Sequence, residues 1–431
     1  MLYHLFEYLN GIGADFPGSG LLQYISVRSV ACNLLAIITS LFVGNKIIDR
    51  LRKRQIGETV RDLGLEGELS KKGTPTMGGI IIILSVLIPV LLFGNFRNVN
   101  TILLVFATVW LGAVGLLDDY IKVFKKNKDG LRGKYKIAAQ ATLGLIVGLT
   151  MCFSSQVGFY THTNQGEEEI TLGEMGDSFT GESSRPEADR IHVRNDAKTT
   201  IPFVKNNEFD YKWLSPFKGK TGEVVEWILY ILVIVFIITA CSNGTNLTDG
   251  LDGLATGVSA IVGATLGLLA YVSGHYGFAD YLNIMYIPNS GEITVYIFAL
   301  IGALAGFLWY NSYPAQVFMG DTGSLMLGGV IGVCAVLIRK EFLLPILCGV
   351  FFAESLSVII QTTWFKHTRK KSGTGVRVFR MTPLHHHFQK SNPDAIIQAP
   401  ARIQSENKIV VRFWIVSLML AVLTVVTLKL R

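Results

Sequence analysis

Eight stretches of this chain, at 80–93, 101–117, 224–241, 258–272, 295–309, 325–338, 342–360 and 409–428, are almost free of charge. A buried core helix accounts for one such stretch, but not for eight. Most approach the ~20 residues needed to cross ~30 Å of hydrocarbon, with flanking Gly, Ser and Thr lengthening the short ones. Two less pure stretches, 25–48 and 137–153, raise the expected number to about ten. Only 16% of the 431 residues are charged, against about a quarter in a soluble domain. The expected fold is an all-α polytopic membrane protein with about ten transmembrane helices, a single domain over 1–431.

Charge distribution sets the expected orientation. Arg50, Arg52, Lys53 and Arg54 follow the first span, seven basic residues from Lys122 to Lys136 follow the third, and six from Lys366 to Arg380 follow the ninth. The positive-inside rule makes these loops cytoplasmic and both termini extracytoplasmic. The first 22 residues carry Glu7 and Asp15 but no Lys or Arg, so they lack the start of a cleavable leader, and the first span is expected to direct insertion. The basic loops hold no aromatic stacking platform, so nucleic acid is not an expected partner. Cys32, Cys152, Cys241, Cys334 and Cys348 lie in or beside apolar stretches without metal spacing, and read as small buried hydrophobes.

Outer connections are short, such as 94–100 and 339–341, apart from 154–222, which is rich in Glu, Asp, Gly, Ser and Thr. Alternating apolar and polar residues around 158–172 and 191–204 allow a few strands there. It reads as a small extracytoplasmic insertion, partly folded at best and far from the chemistry. Inner connections hold nearly all the unusual residues: GTPTMGG (73–79), DDY (118–120), NGTNLTDGLDGLA (243–255), NSYPAQVFMGDTGS (311–324) and PLHHHF (383–388). Motifs confined to loops of one face imply one shared site at that surface.

Asp118 and Asp119 read as the end of an apolar helix, where the dipole disfavours anions, so the pair calls for a metal or lysines. Asp249, Asp252 and Asp321 sit among glycines, in TDGLDG and MGDTGS. Such open, oxygen-rich settings suit Mg²⁺, which keeps waters and substrate phosphates as its other ligands. Asp-Gly turns without a ligand are the plain alternative for Asp249 and Asp252. The EF-hand spacing of a Ca²⁺ loop is missing. His385, His386 and His387 stand in a loop; three adjacent residues rarely reach one zinc ion, so phosphate hydrogen bonding is the better expectation. Lys71, Lys122, Lys126, Lys134 and Lys136 together form a cationic funnel for a substrate with two phosphates, although positive-inside bias explains any one of them. Carboxylates for Mg²⁺, cations for phosphates and glycine-rich loops suit phosphoryl transfer, which needs positioning and charge neutralisation more than covalent chemistry. No Walker or kinase motif is present, so a nucleotide enters as donor rather than as energy source.

At KKGTPTMGG, GLLDDY, NLTDGLDGLA, YPAQVFMGDTGSL, FRMTPLHHHF and VRFWIVSLMLA the chain closely resembles the phospho-N-acetylmuramoyl-pentapeptide transferase family of the polyprenyl-phosphate N-acetylhexosamine-1-phosphate transferases. The resemblance runs from about Ser26 to Arg431, interrupted by 154–222. GTPTMGG and PxHHH favour the muramoyl-pentapeptide branch over the GlcNAc-1-phosphate branch. The resemblance implies UDP-N-acetylmuramoyl-pentapeptide as donor, undecaprenyl phosphate as acceptor, and lipid I and UMP as products. It implies Mg²⁺ at Asp321, and an aspartate pair, Asp118 and Asp119, one member of which deprotonates or positions the lipid phosphate. Catalytic or nucleoside-binding roles fall on Lys71, Thr76, Asn243, Asn246, Asp249, Gly250, Asp252, Asn311, Phe318, His385, His386 and His387, with Asp252 and Phe318 on the uracil. A ten-helix homodimer in the bacterial cytoplasmic membrane, with an acyl-chain groove open to the bilayer, is implied as well. The outer insertion is longer than in most members. Within the enzyme class, the rival is a GlcNAc-1-phosphate transferase for another surface polymer. An ion-coupled transporter is the rival of another class, but it calls for charges near the midplane and for internal repeats, and neither is seen.

Overall fold

The computed structural model describes residues 1–12, 19–53, 71, 73–125, 127, 129–159, 196–204, 207–390 and 394–429. Its helices are α1 (Leu2–Gly11), α2 (Ile25–Lys53), α3 (Gly79–Phe93), α4 (Val99–Phe124) and α5 (Gly133–Phe153), then α6 (Lys220–Thr248), α7 (Leu254–Ser273), α8 (Tyr276–Leu282) and α9 (Gly291–Asn311), and finally α10 (Gly320–Leu337), α11 (Leu344–Leu347), α12 (Gly349–Ser372), α13 (Leu384–Gln389) and α14 (Glu406–Thr427). Eight of them, α2, α4, α5, α6, α7, α9, α10 and α14, are long and apolar enough to cross a membrane. The segment through α11 and α12 passes the same test as a pair bent by 75°, and α3 is a shorter apolar helix. All ten apolar stretches of the sequence fall on these helices.

Surface chemistry explains why the bundle needs lipid. Val224, Ile228, Leu232 and Phe236 of α6 recur every four residues, and all are more than half exposed. A helix in water would bury such a stripe; in hydrocarbon it is solvated. Charges within the bundle are paired instead. Arg28 of α2 meets Glu292 of α9 at 2.6 Å, both nearly buried, so removing either would strand a charge.

The innermost helix is α10, buried throughout 322–337, and it packs against α3, α4 and α6. The first turn of α10, the last turns of α4, α6 and α9, and the start of α3 therefore meet at one end of the bundle. Those ends carry the motifs.

The opposite end holds the described part of the insertion. Strands β1 (Lys198–Thr200) and β2 (Glu208–Asp210) pair antiparallel, followed by a 3-10 turn, Tyr211–Leu214, whose Tyr211 is fully buried. This portion is docked on the bundle, while 160–195 of the insertion lie outside the described residues. Arg339, Lys340 and Glu341, which read as a brief outer connection, are buried beneath it. The Thr200 N–H donates to the Arg339 carbonyl (2.9 Å) and the Lys340 ammonium to the Thr200 hydroxyl (2.8 Å). Burial pushes Lys340 down to about 7, the direction expected for a desolvated ammonium. Of the two strand-like stretches, β1 falls in the second; most of the first lies outside the described residues.

Candidate active site

The aspartate pair does not end its helix, because α4 continues to Phe124. The extension has a local cause: Lys122, one turn beyond Asp118, closes an i,i+4 ion pair with it at 2.7 Å. The two carboxylates then serve different ends. Both oxygens of Asp119 face the N-terminus of α10. They accept the N–H groups of Asp321 (3.1 Å) and Thr322 (2.9 Å) and the Thr322 hydroxyl (2.6 Å). An anion at a helix N-terminus satisfies donors the helix cannot and sits at the positive end of its dipole. Asp119 thus fixes where α10 begins.

Asp118 turns to the neighbouring cations. One oxygen accepts the Leu131 N–H (2.6 Å), and the other lies 2.7 Å from Lys122 and 3.0 Å from Lys136. Asp321 shares both lysines through a single oxygen, at 3.1 Å and 2.6 Å. Its other oxygen accepts from Asn246 at 2.9 Å, and Asn246 also reaches the Ser324 hydroxyl. Asp118, Asp119 and Asp321 offer oxygens within 4.8 Å of one another. Three carboxylates against two ammonium groups leave net negative charge, and every donor is a hard oxygen, which fits a divalent cation of the Mg²⁺ type. Asp118 is fully buried while the Asp321 side chain is 14% exposed, so Asp321 reaches furthest toward solvent.

A second polar group lies on the adjoining loops. Lys71 pairs with Asp252 (2.7 Å) and Glu406 (2.6 Å), and its ammonium stands 5.9 Å from the centre of the Phe318 ring. Burial alone would lower the Lys71 pKa, but Glu406 and Asp252 hold it above the ordinary value. The other Asp252 oxygen accepts the Ala315 N–H (2.9 Å). Asn311 is a brace, accepting from Gly253 N–H (3.2 Å) and the Thr256 hydroxyl (2.7 Å) and donating to the Val317 carbonyl (3.0 Å). The segments 75–79 and 318–319 pair through their backbones: Phe318 N–H to Pro75, Gly78 N–H to Phe318 and Gly79 N–H to Met319. Thr76 is buried beside Gly320. Asn243 donates to Gln140 (2.9 Å), tying α6 to α5, and Asp249 caps the end of α6.

The histidines stand on a short helix, α13, rather than in a loop, and the rings of His385 and His386 meet edge to face with centroids 4.2 Å apart. His385 is fully buried, 3.2 Å from Glu354 of α12. It packs directly on Gly250, where any side chain would overlap its imidazole. His386 meets Gln389 at 2.9 Å. Burial, and then His385, push His386 down to about 3, so it acts as a neutral imidazole. Both ring nitrogens of His387 are engaged: Nδ1 accepts the Arg380 N–H (3.1 Å) and Nε2 donates to the Ala399 carbonyl (2.7 Å). His387 therefore braces its loop, which differs from the expected phosphate contact. Lys134 is exposed, and Lys126 lies outside the described residues.

Glu354 and Glu406 were not among the expected site residues. Each is a lone carboxylate within or at the edge of an apolar stretch, which is itself a signal of function in a membrane helix.

The sequence model of Glycosyl transferase family 4 matches residues 195–339, and phospho-N-acetylmuramoyl-pentapeptide-transferase signature 1 matches residues 71–83. The chain is 53% identical to the phospho-N-acetylmuramoyl-pentapeptide-transferase of Parabacteroides distasonis, 52% to that of Porphyromonas gingivalis and 50% to that of Flavobacterium psychrophilum, in each case over 100% of both chains. Identity at this level along the whole length places the chain in the phospho-N-acetylmuramoyl-pentapeptide-transferase family.

Proposed function

We propose that this protein transfers phospho-N-acetylmuramoyl-pentapeptide from UDP-N-acetylmuramoyl-pentapeptide to undecaprenyl phosphate, releasing UMP and forming lipid I, at the cytoplasmic face of the bacterial inner membrane. The observation that carries it is the meeting of Asp118, Asp321, Lys122 and Lys136 at the bundle end where the other motifs also lie. We assign ten spans, counting α3 and the bent pair, with both termini outside. The basic last turns of α2 (Arg50, Arg52, Lys53) and α12 (Arg369, Lys370, Lys371) support that orientation.

The lipid phosphate attacks directly. Its second pKa is near ~6, so it is largely dianionic at neutral pH and needs no covalent enzyme step. Its oxygen bonds to the donor's β-phosphorus as the bond to the UMP oxygen breaks. Lys122 and Lys136 turn toward the two anionic substrates and reduce their mutual repulsion, while Asp118 orients the acceptor phosphate. Asp321, with Asp118 beside it, would hold Mg²⁺, which when bound neutralises charge on the pyrophosphate. Asp119 positions Asp321 by capping α10. Asp252 and the Phe318 ring, flanked by Lys71, form the nucleoside end.

The purified protein, given Mg²⁺ and undecaprenyl phosphate, is expected to release UMP from the muramoyl-pentapeptide donor and not from UDP-GlcNAc. Preferential turnover of UDP-GlcNAc would instead support the other branch of the superfamily. Deleting 166–194, which lies outside the described residues, is expected to change kcat by less than about twofold. Altering a long connection changes loop entropy little, and the deletion spares the hairpin docked on Arg339–Glu341. With the 29 residues of α6, its ends stand roughly 40 Å apart. A normally folded deletion variant without UMP release would show that the insertion acts on the site.

A further inference from the structure

The last helix of the chain contributes one charged side chain to the nucleoside end. Glu406 opens α14 and is nearly buried, an anion in the first turn, where the helix dipole favours it. Its Oε1 accepts both the Asp252 N–H (2.8 Å) and the Lys71 ammonium (2.6 Å). The same ammonium meets Asp252 Oδ1 at 2.7 Å, and Asp252 Oδ2 accepts the Ala315 N–H. Four segments far apart in sequence, at 71, 252, 315 and 406, therefore close on one point.

Glu406 is held at a fixed height. Trp414, about two turns further along α14, packs on Gly257 of α7, where any side chain would overlap the indole. Ile409 and Val410 of the intervening turns are buried. Asp252 stands on the turn that leads into α7, so α14 grips that turn and the helix it opens.

Charge and donor count show what such a group can receive. Two carboxylates face one ammonium, which leaves an excess negative charge that repels a phosphate. Lys71 has three N–H donors; two are spent on Asp252 and Glu406, and its side chain keeps 19% exposure. The third is left for a ligand, with the Phe318 ring 5.9 Å from the ammonium. An uncharged heterocycle, whose carbonyl accepts that donor and whose face stacks on the ring, fits this end.

We propose that Glu406 is a positioning residue for the donor's nucleoside: it holds Lys71 and Asp252 in place, and its charge turns the base toward them and the diphosphate toward Lys122 and Lys136. This rests on the nucleotide donor assigned above. Glu406 acts through Lys71 and Asp252 and has no part in the acceptor's binding.

The test measures Kd for labelled UMP by equilibrium dialysis of the full chain, alongside steady-state turnover. UMP is the leaving group of either branch's donor, so its affinity reads the nucleoside end directly, while turnover of the muramoyl-pentapeptide donor by the unaltered protein checks the donor assignment separately. Glu406→Gln keeps the shape and removes the charge. It is expected to raise Kd for UMP and KM for the donor by the same factor, about 10-fold, the loss typical of a charge-assisted contact. Both kcat and the KM for undecaprenyl phosphate are expected to stay within about twofold. In a Lys71→Met background, Glu406→Gln should weaken UMP by less than about twofold further, because the group it positions is gone. Unchanged UMP affinity in Glu406→Gln would overturn the proposal, and tighter binding would do so by placing phosphate rather than base at this end. An equal rise in the KM for undecaprenyl phosphate, or a full 10-fold loss in the Lys71→Met background, would show a role not exerted through Lys71 and overturn it as well.

Discussion

Replacing Asp321 by Ala is expected to lower kcat by on the order of 10³-fold or more at any Mg²⁺ concentration, since a metal-centred charge contact is worth several kcal/mol in the transition state. Asp321 is the most exposed of the three clustered carboxylates, and it alone also engages Asn246. Without it, Lys122 and Lys136 fall back on Asp118 alone, and the excess negative charge that suits a divalent cation disappears. Asp321→Asn separates charge from shape, because its amide oxygen can still accept from Asn246. Both variants should lose activity similarly if charge is what matters. Folding should survive, because Asp119 still caps α10; losing a first-turn carboxylate costs about 0.3–1 kcal/mol. Thermal unfolding in detergent alongside UMP release measures both quantities. Near-normal kcat in either variant would remove Asp321 from the metal site.

Gly115→Ala carries the second large effect, without touching a charged group. A Cβ at Gly115 would overlap the Asp321 carbonyl and lie 2.6 Å from the Thr322 Cα. Backbone cannot swing aside as a side-chain tip can, so α4 and α10 must separate. Those helices carry Asp118, Asp119 and Asp321. Overpacking of this kind destabilises by about 1–3 kcal/mol, and a displacement of ~1 Å at a reacting centre costs about 10²-fold in rate. Gly112→Ala, one turn away, is the control, since its Cβ meets only the side chain of Ile83. Rates are expected to fall about 10²-fold in Gly115→Ala and less than about threefold in Gly112→Ala. Equal rates in the two variants would show that helix spacing does not set the site.

Much of this was legible in the sequence because membrane helices announce themselves through uninterrupted apolar length. Carboxylates such as Asp118 and Asp321 stand out against that background for the same reason. What stayed hidden depended on pairing. DDYIKVF mixes polar and apolar residues and resembles a helix end, but the Asp118–Lys122 pair carries the helix onward. Arg339, Lys340 and Glu341 look like a solvated turn, and only the docked hairpin makes their burial tolerable. Glu354 and Glu406 escaped notice although each interrupts or borders an apolar stretch; their partners, His385 and Lys71, are distant in sequence. PLHHHF shows no helical periodicity in six residues, so the separate partners of its three imidazoles, Glu354, Gln389 and the Ala399 carbonyl, required the structure.

Direct transfer at the Asp118–Asp321 cluster is tested most immediately by one measurement: UMP released when acceptor-free protein is mixed with labelled donor and Mg²⁺. The account predicts no UMP until undecaprenyl phosphate is added, followed by UMP and lipid I in equal amounts. A burst of one UMP per protein before any acceptor is present, with the phosphosugar left bound to the chain, would contradict it.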